Sequence, residues 1–383
     1  MRRPVAVCGN TAERHGIVLA KNTPAKAMGI KTGWPVWQAQ SVCPDITIIP
    51  PHYDEYVTYS KLVREIYCRY TDRIESMGID ECWLDVTDST RYIGGGRAIA
   101  DEIRQAVKCE TGLTISAGVS FNKIFAKLGS DMKKPDAVTE IDVDVFREKI
   151  WPLPADMMLG VGRRAYAILL RRGIRTIGDL AAADPDYLGS LFGKVGREIW
   201  VYANGYDTTE VLPAQLSPPI KSVGHAITTT SDLTTDGEVR CVLLEMAQIV
   251  GEKLRAEGLA AGGVGVTVRD NELNLHDYQG QLSSPTQLTK EIVERGREIF
   301  TAKHKWTLPL RSVGIRAINL CDARASRQLT FDESVRERRL RLEAAVDGIR
   351  GRYGHNSLTP AACVNDIKIV RKRTGDSPIA MYM

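Results

Sequence analysis

The 383-residue chain reads as an α+β multidomain protein, and three observations lead there. Its length exceeds what one hydrophobic core ordinarily serves, which suggests about two to four domains. Up to about residue 145, strand-like apolar runs interleave with amphipathic helices, the layered pattern of α+β or α/β folds. From Trp151 to about Tyr206 the strand signal vanishes, and strands return only after a stretch with three prolines.

At 43% hydrophobic and 26% charged residues, the composition is that of a soluble globular protein. A net charge of +4 permits a nucleic-acid partner without requiring one. The 8 cysteines include no Cys-x-x-Cys pair and the 6 histidines do not cluster with them, so a structural zinc site is not expected. Isolated thiols suit a reducing cytosol. No apolar run is long enough for a membrane span, and "MRRPVAVCGN" lacks the apolar core of a signal peptide, so the chain is expected to be cytoplasmic.

Taken in order, "RPVAVCG" and "GIVLA" read as strands, followed by short helical pieces broken by Gly29, Gly33, Pro35 and Pro44. Tyr56, Tyr59, Leu62, Val63, Ile66 and Tyr70 recur at helical spacing. Ile79, Cys82, Trp83, Leu84 and Val86 mark a strand, ended by Thr87-Asp88-Ser89. "GGGRAIADEIRQAVKCETG" is an amphipathic helix with Gly112 as its C-cap signal. "LTISAGVS" is a strand, and "NKIFAKLGSDMKKPD" a helix ending before Pro135. Beyond the helical region, 212–221 reads as an extended linker. "SVGHAITTTSD", "AGGVGVTVRD", "LHDYQGQL" and "PLRSVGIRAINL" read as strands, with helices near Val239–Glu257 and Pro285–Ala302. The charged tail from Arg324 is partly helical and expected to be peripheral.

Three constellations carry chemistry. Asp80 and Glu81 interrupt the apolar run, and an unpaired buried carboxylate costs several kcal/mol. The pair must therefore face an exposed rim, meet cations or bind a metal. In a regular strand the two would point to opposite faces, so Gly78 is read as the bend that brings them together. Asp85, four or five residues away, is too far for one site and reads as a surface or structural residue. Gly160 and Gly162, followed by a helix with Arg163 and Arg164, resemble a helix–hairpin–helix in which backbone N–H groups meet a phosphate. A tight turn between packed helices with solvated arginines is the alternative. Lys123 and Lys127 lie four apart on one helix face, with Lys133 and Lys134 closing that helix. They suit phosphate binding or, for the last two, the helix dipole alone.

Together these pieces resemble one family in its own order. "GIDECWLDVT" is similar to the S-[IL]-D-E-x-x-L-D motif of the Y-family, or translesion, DNA polymerases, and "SAGVSFNKIFAKLGSDMKKPD" to the block after it. The segment from "PVAVCGN" to "SVCPD" resembles their fingers, "LGVGRRAYAILLRRGIRTIGDLA" their thumb, and "KSVGHAITTTSDL" the start of their little finger. The bacterial DNA polymerase IV type is the most similar. The resemblance spans about residues 2–325 and implies a right-hand architecture: fingers 1–52, palm 53–148, helix–hairpin–helix thumb 149–211, linker 212–221, α+β little finger 222–325 and tail 326–383.

It also implies template-directed DNA synthesis past damaged bases, on primer–template DNA and deoxynucleoside triphosphates, by a monomer associated with the bacterial nucleoid. Carried over by position, Asp80 and Glu81 hold Mg²⁺ (two ions in the complete family site, with Mn²⁺ as an alternative). Lys134, Lys26 and Thr23 meet the triphosphate, Thr23 standing where the family often has Tyr. Gly160, Gly162, Arg163, Arg164, Lys123, Lys127 and Lys221 meet DNA. Gln328, Leu329 and Phe331 in "RQLTFDE" are similar to sliding-clamp peptides, with a strand or turn as the other reading.

The family normally opens with a strand bearing another metal-ligand Asp, then an aromatic steric gate against ribonucleotides. Neither is present in this sequence, so the chain as given is expected to be impaired in two-metal catalysis, with an exposed edge or a gap in its palm sheet. A non-catalytic DNA-binding relative that recruits partners at lesions is the competing expectation, although it gives no reason to keep two costly carboxylates. An unrelated helix–hairpin–helix nuclease fits less well.

Overall fold

The computed structural model describes residues 3–11, 13–14, 16–216, 219–324, 333–364 and 368–369. The chain divides into two compact units, Met1–His52 with Pro219–Ser377, and Tyr53–Pro218.

In the first unit β1 (Val5–Cys8) pairs antiparallel with β2 (Val18–Lys21) and parallel with β3 (Thr47–Ile49). Helix α1 (Thr23–Ala27) starts where Asn22 accepts from the Ala25 N–H at 3.1 Å, with Pro24 in its first turn. Ala25, with Val36 and Ala39 of α2 (Val36–Val42), joins Ala6, Cys8 and Val18 in a small buried cluster.

The second unit opens with α3 (Tyr53–Tyr67), then the antiparallel hairpin β4 (Ile74–Ser76) and β5 (Cys82–Leu84). Helices α4 (Thr90–Ile93) and α5 (Gly96–Thr111) follow, and Gly112 closes α5 in the left-handed region at φ +72°. The parallel pair β6 (Ala117–Ser120) and β7 (Val138–Ile141) brackets α6 (Lys123–Met132). Among the described residues β4–β5 and β6–β7 are separate two-stranded ladders. Asn122 caps α6 by accepting from the Phe125 N–H at 2.8 Å. β6 lies directly on this helix: a Cβ at Gly118 would sit 1.9 Å from the Ala126 carbonyl oxygen and 2.6 Å from the Ser130 nitrogen. Helices α7 (Phe146–Ile150), α8 (Arg163–Arg171), α9 (Ile177–Ala182), α10 (Pro185–Phe192) and α11 (Lys194–Ala203) complete the unit. Their core of Leu169, Ile177, Leu180, Leu188 and Ile199 is continuous with Phe125 and Leu128 of α6. Residues 207–216 form no helix or strand, and the Ala214 N–H donates to the Asp72 carbonyl at 2.8 Å.

The remainder of the first unit is a four-stranded antiparallel sheet in the order β10-β9-β11-β8, from β8 (Ser222–Leu233), β9 (Leu259–Asp270), β10 (Leu275–Thr286) and β11 (Leu310–Asp322). One sheet face sends Val264, Val266, Val313 and Ile315 into a core shared with α12 (Asp236–Ala256) and α13 (Thr289–Lys303). Val239, Val242, Leu243, Met246 and Val250 give α12 the spacing that fills that core. The α13 helix starts at Thr289 rather than Pro285, because β10 runs on to Thr286.

The described part of the tail is not peripheral. Helix α14 (Glu333–Tyr353) is held to the sheet unit by Arg255, which reaches Glu343 and, at 2.5 Å, Asp347. Arg350 is buried against Gln248 and the Leu358 carbonyl. Charges of the tail expected to be peripheral are the docking contacts themselves.

Candidate active site

Asp80 and Glu81 lie in the loop of the β4–β5 hairpin, not inside a strand. The Met77 N–H donates to the Glu81 carbonyl at 3.0 Å and closes the loop, so strand geometry resumes only at Cys82. From α3, the Ser60 hydroxyl donates to the Ile79 carbonyl and Arg64 donates to Ser76. Asp80 is exposed and Glu81 half-buried, which spares both the desolvation cost of a core carboxylate. The chain bends at Gly78 without needing a glycine there: its φ is not left-handed, and an added Cβ would make only an ordinary 3.6 Å contact with Asp80.

Facing the hairpin is one side of α6, where residues four apart share a face. Lys127 Nζ lies 2.8 Å from Glu81 Oε1 and 2.9 Å from Asp131 Oδ2. Lys134 Nζ lies 2.8 Å from Asp131 Oδ1. Burial pulls the Lys127 ammonium down, but its bonds to Glu81 and Asp131 outweigh this and hold it above the usual lysine range. Burial likewise pushes Asp131 up, and its bonds to Lys134 and Lys127 bring it below the usual carboxylate range.

Lys123 does something different from what its spacing suggests. Its Nζ meets Glu75 Oε2 at 2.8 Å and the Glu210 carbonyl at 3.0 Å, lies 5.1 Å from the Trp83 ring centroid, and the side chain is only 14% exposed. Its donors are used within the unit, at Glu75 and the Glu210 carbonyl. Asp85 is structural: it accepts from the Thr87 hydroxyl at 2.6 Å and the Thr87 N–H at 3.0 Å. These bonds, the hydroxyl's foremost, lower its pKa against the opposing effect of burial.

In the helical part of the same unit, Gly160 adopts φ +89° and Gly162 is the N-cap of α8. Gly160, Gly162, Arg163 and Arg164 are all exposed, beside first-turn N–H groups that no intrahelical carbonyl reaches. Thr23 and Lys26, exposed on α1, and Lys221, exposed just before β8, belong to the other unit. Gln328, Leu329 and Phe331 lie outside the described residues.

Among the described residues no group of three or more His, Cys, Asp or Glu side chains is placed to hold a metal ion. Asp80 and Glu81 nonetheless fit Mg²⁺ in kind, since that ion is commonly held by one or two carboxylates plus water and substrate phosphates. Asp131 escaped the sequence reading; its signal was the spacing of Lys127, Asp131 and Lys134 along one helix face.

No described helix is long and apolar enough to cross a membrane. Residues 1–131 match the impB/mucB/samB family, and residues 220–331 its C-terminal domain. The chain is 42% identical over 366 residues to a DNA polymerase IV of Acetivibrio thermocellus, covering 95% of this chain and 92% of that one. It is 34% identical over 375 residues to a DNA polymerase IV of Pelotomaculum thermopropionicum, covering 98% and 92%. A solved Y-family DNA polymerase chimera shares its fold at a TM-score of 0.71 and 22% identity, covering 83% of this chain and 92% of that one. With both domains matched in order and relatives spanning nearly the whole chain, this protein belongs to the impB/mucB/samB family of Y-family DNA polymerases.

Proposed function

We propose that the chain carries out template-directed DNA synthesis past damaged bases, with Asp80 and Glu81 as the carboxylates that hold Mg²⁺. The observation that carries this is the pair itself, set in a hairpin loop beside a row of lysines rather than in the core. Mg²⁺ held by Asp80 and Glu81 would supply Lewis-acid activation of the primer hydroxyl and charge neutralisation at the departing pyrophosphate.

The protein's own groups bind and orient. Lys134, with Thr23 and Lys26, takes the triphosphate. Gly160, Gly162, Arg163 and Arg164 take the DNA backbone, where N–H groups and guanidinium charge suit phosphates, and Lys221 adds a further contact. Lys127 orients Glu81 through its 2.8 Å contact. The domain limits are those of the sequence reading, from fingers 1–52 to tail 326–383. The protein works as a monomer near the nucleoid, and Gln328, Leu329 and Phe331 would offer it to a sliding clamp.

Primer extension with Mg²⁺ and four deoxynucleotides tests the assignment. Asp80→Ala and Glu81→Ala are each expected to abolish extension while primer–template affinity stays within about twofold of the parent. Mutants that extend as well as the parent overturn the site. A parent that binds primer–template but adds no nucleotide favours the recruiting, non-catalytic reading instead.

A further inference from the structure

Four charges of alternating sign join the hairpin to the end of α6: Glu81, Lys127, Asp131 and Lys134, linked at 2.8, 2.9 and 2.8 Å. Asp131 is the hinge of this series, one carboxylate oxygen on each lysine. Helix stability does not account for it. An acid in the last turn of a helix opposes the macrodipole, and Lys before Asp is the less favourable order for a pair four apart.

We infer that Asp131 is the resting partner of Lys134, a positioning residue that couples nucleotide capture at Lys134 to cation loading at Glu81. This rests on the proposed roles of those two residues. The Lys134 side chain is 57% exposed and free to swing, whereas Lys127 is 18% exposed and has little choice beyond Glu81 and Asp131. A triphosphate that draws Lys134 away leaves Asp131 to Lys127 alone. Lys127 then leans toward Asp131 and loosens its hold on Glu81 Oε1, which becomes available to a divalent cation. The reverse must hold equally: a cation at Glu81 displaces Lys127 toward Asp131 and favours release of Lys134. Pairs this exposed are weak enough for a ligand to break, so each effect is a matter of a few fold.

Asp131→Asn separates coupling from mere support of the fold. The first probe is dATP, bound at fixed Mg²⁺ to the full chain on a dideoxy-terminated primer with a templating T. The second is Mn²⁺, bound to the chain without nucleotide and followed by the resonance of the free ion. With Lys134 released, dATP is expected to bind about two- to fivefold tighter. With Lys127 left to Glu81 alone, Mn²⁺ is expected to bind weaker by about the same factor. Asp131→Glu should bring both back toward the parent.

A damaged fold weakens both ligands together, so parallel losses, or no change in either, overturn the inference. Lys134→Ala and Glu81→Gln serve as references. If they leave dATP and Mn²⁺ binding unchanged, the site reading itself fails. If they weaken binding while Asp131→Asn moves nothing, only the coupling fails.

Discussion

The strands β8, β9, β10 and β11 run 12 or 13 residues and bury Val264, Val266, Val313 and Ile315 under two helices, whereas β4 and β5 are three residues each. The small buried cluster of α3 and α5, Ile66, Ile99, Ile103 and Val107, takes Leu84 of β5 only as a partly buried neighbour. Instead the hairpin is tied by Lys123 to Glu75, by Lys127 to Glu81 and by Arg64 to Ser76. Burial is non-directional and tolerant, and it suits a platform. Ion pairs are directional and respond to other charges, which suits a loop proposed to take a cation beside an anionic substrate. The difference places stability in one region and responsiveness in the other.

Truncation should expose that difference first. Leu243, fully buried in α12, is expected to cost about 3–4 kcal/mol when changed to Ala, read as a lower urea midpoint of the intact chain. A loss below about 1 kcal/mol would mean that this core is not what holds the sheet. Lys123→Met removes the ammonium over Trp83 and leaves the largely buried Glu75 without its cation. About 2 kcal/mol is expected from that, together with impaired nucleotide addition. A stable variant with normal extension would show that the hairpin does not depend on its ion pairs.

The smallest effect belongs to Glu238 at the start of α12. The Lys368 ammonium first, then the Thr234 and Thr235 N–H groups, hold its pKa down to about 2 against burial. A depressed carboxylate stabilises above its unfolded value of 4.5, and that contribution fades as pH falls from 4.5 through 2. Glu238→Gln should therefore lose under about 1 kcal/mol at neutral pH and flatten the acid side of the stability profile. A parallel profile in the variant would assign acid sensitivity to other groups.

Much of this was legible where structure is local. The spacing of Val239, Leu243 and Val250 gives α12, and Gly112 gives the end of α5, because helix periodicity and a left-handed cap are written over a few residues. The carboxylate pair was legible as costly in a core and as set at a bend, but the contacts that brace its loop were not, since Ser60 and Arg64 come from a separate helix. Lys123 and Lys127 look equivalent in sequence. Only the fold gives one Glu75 and the other Glu81. The tail looked peripheral because Glu343, Asp347 and Arg350 are charged, and their partners Arg255 and Gln248 lie about a hundred residues upstream.

Gly118 reaches further than its size suggests. With no room for even a methyl group between β6 and the backbone of α6, any side chain there must push the helix off its strand. Lys127 and Asp131 ride on that helix and would shift with it, out of step with Glu81 on its hairpin. A saturation library scored only by DNA synthesis would thus rank position 118 beside the carboxylates, though the glycine there has no side chain to offer a substrate. Intolerance of that kind maps a spacing, not a chemistry.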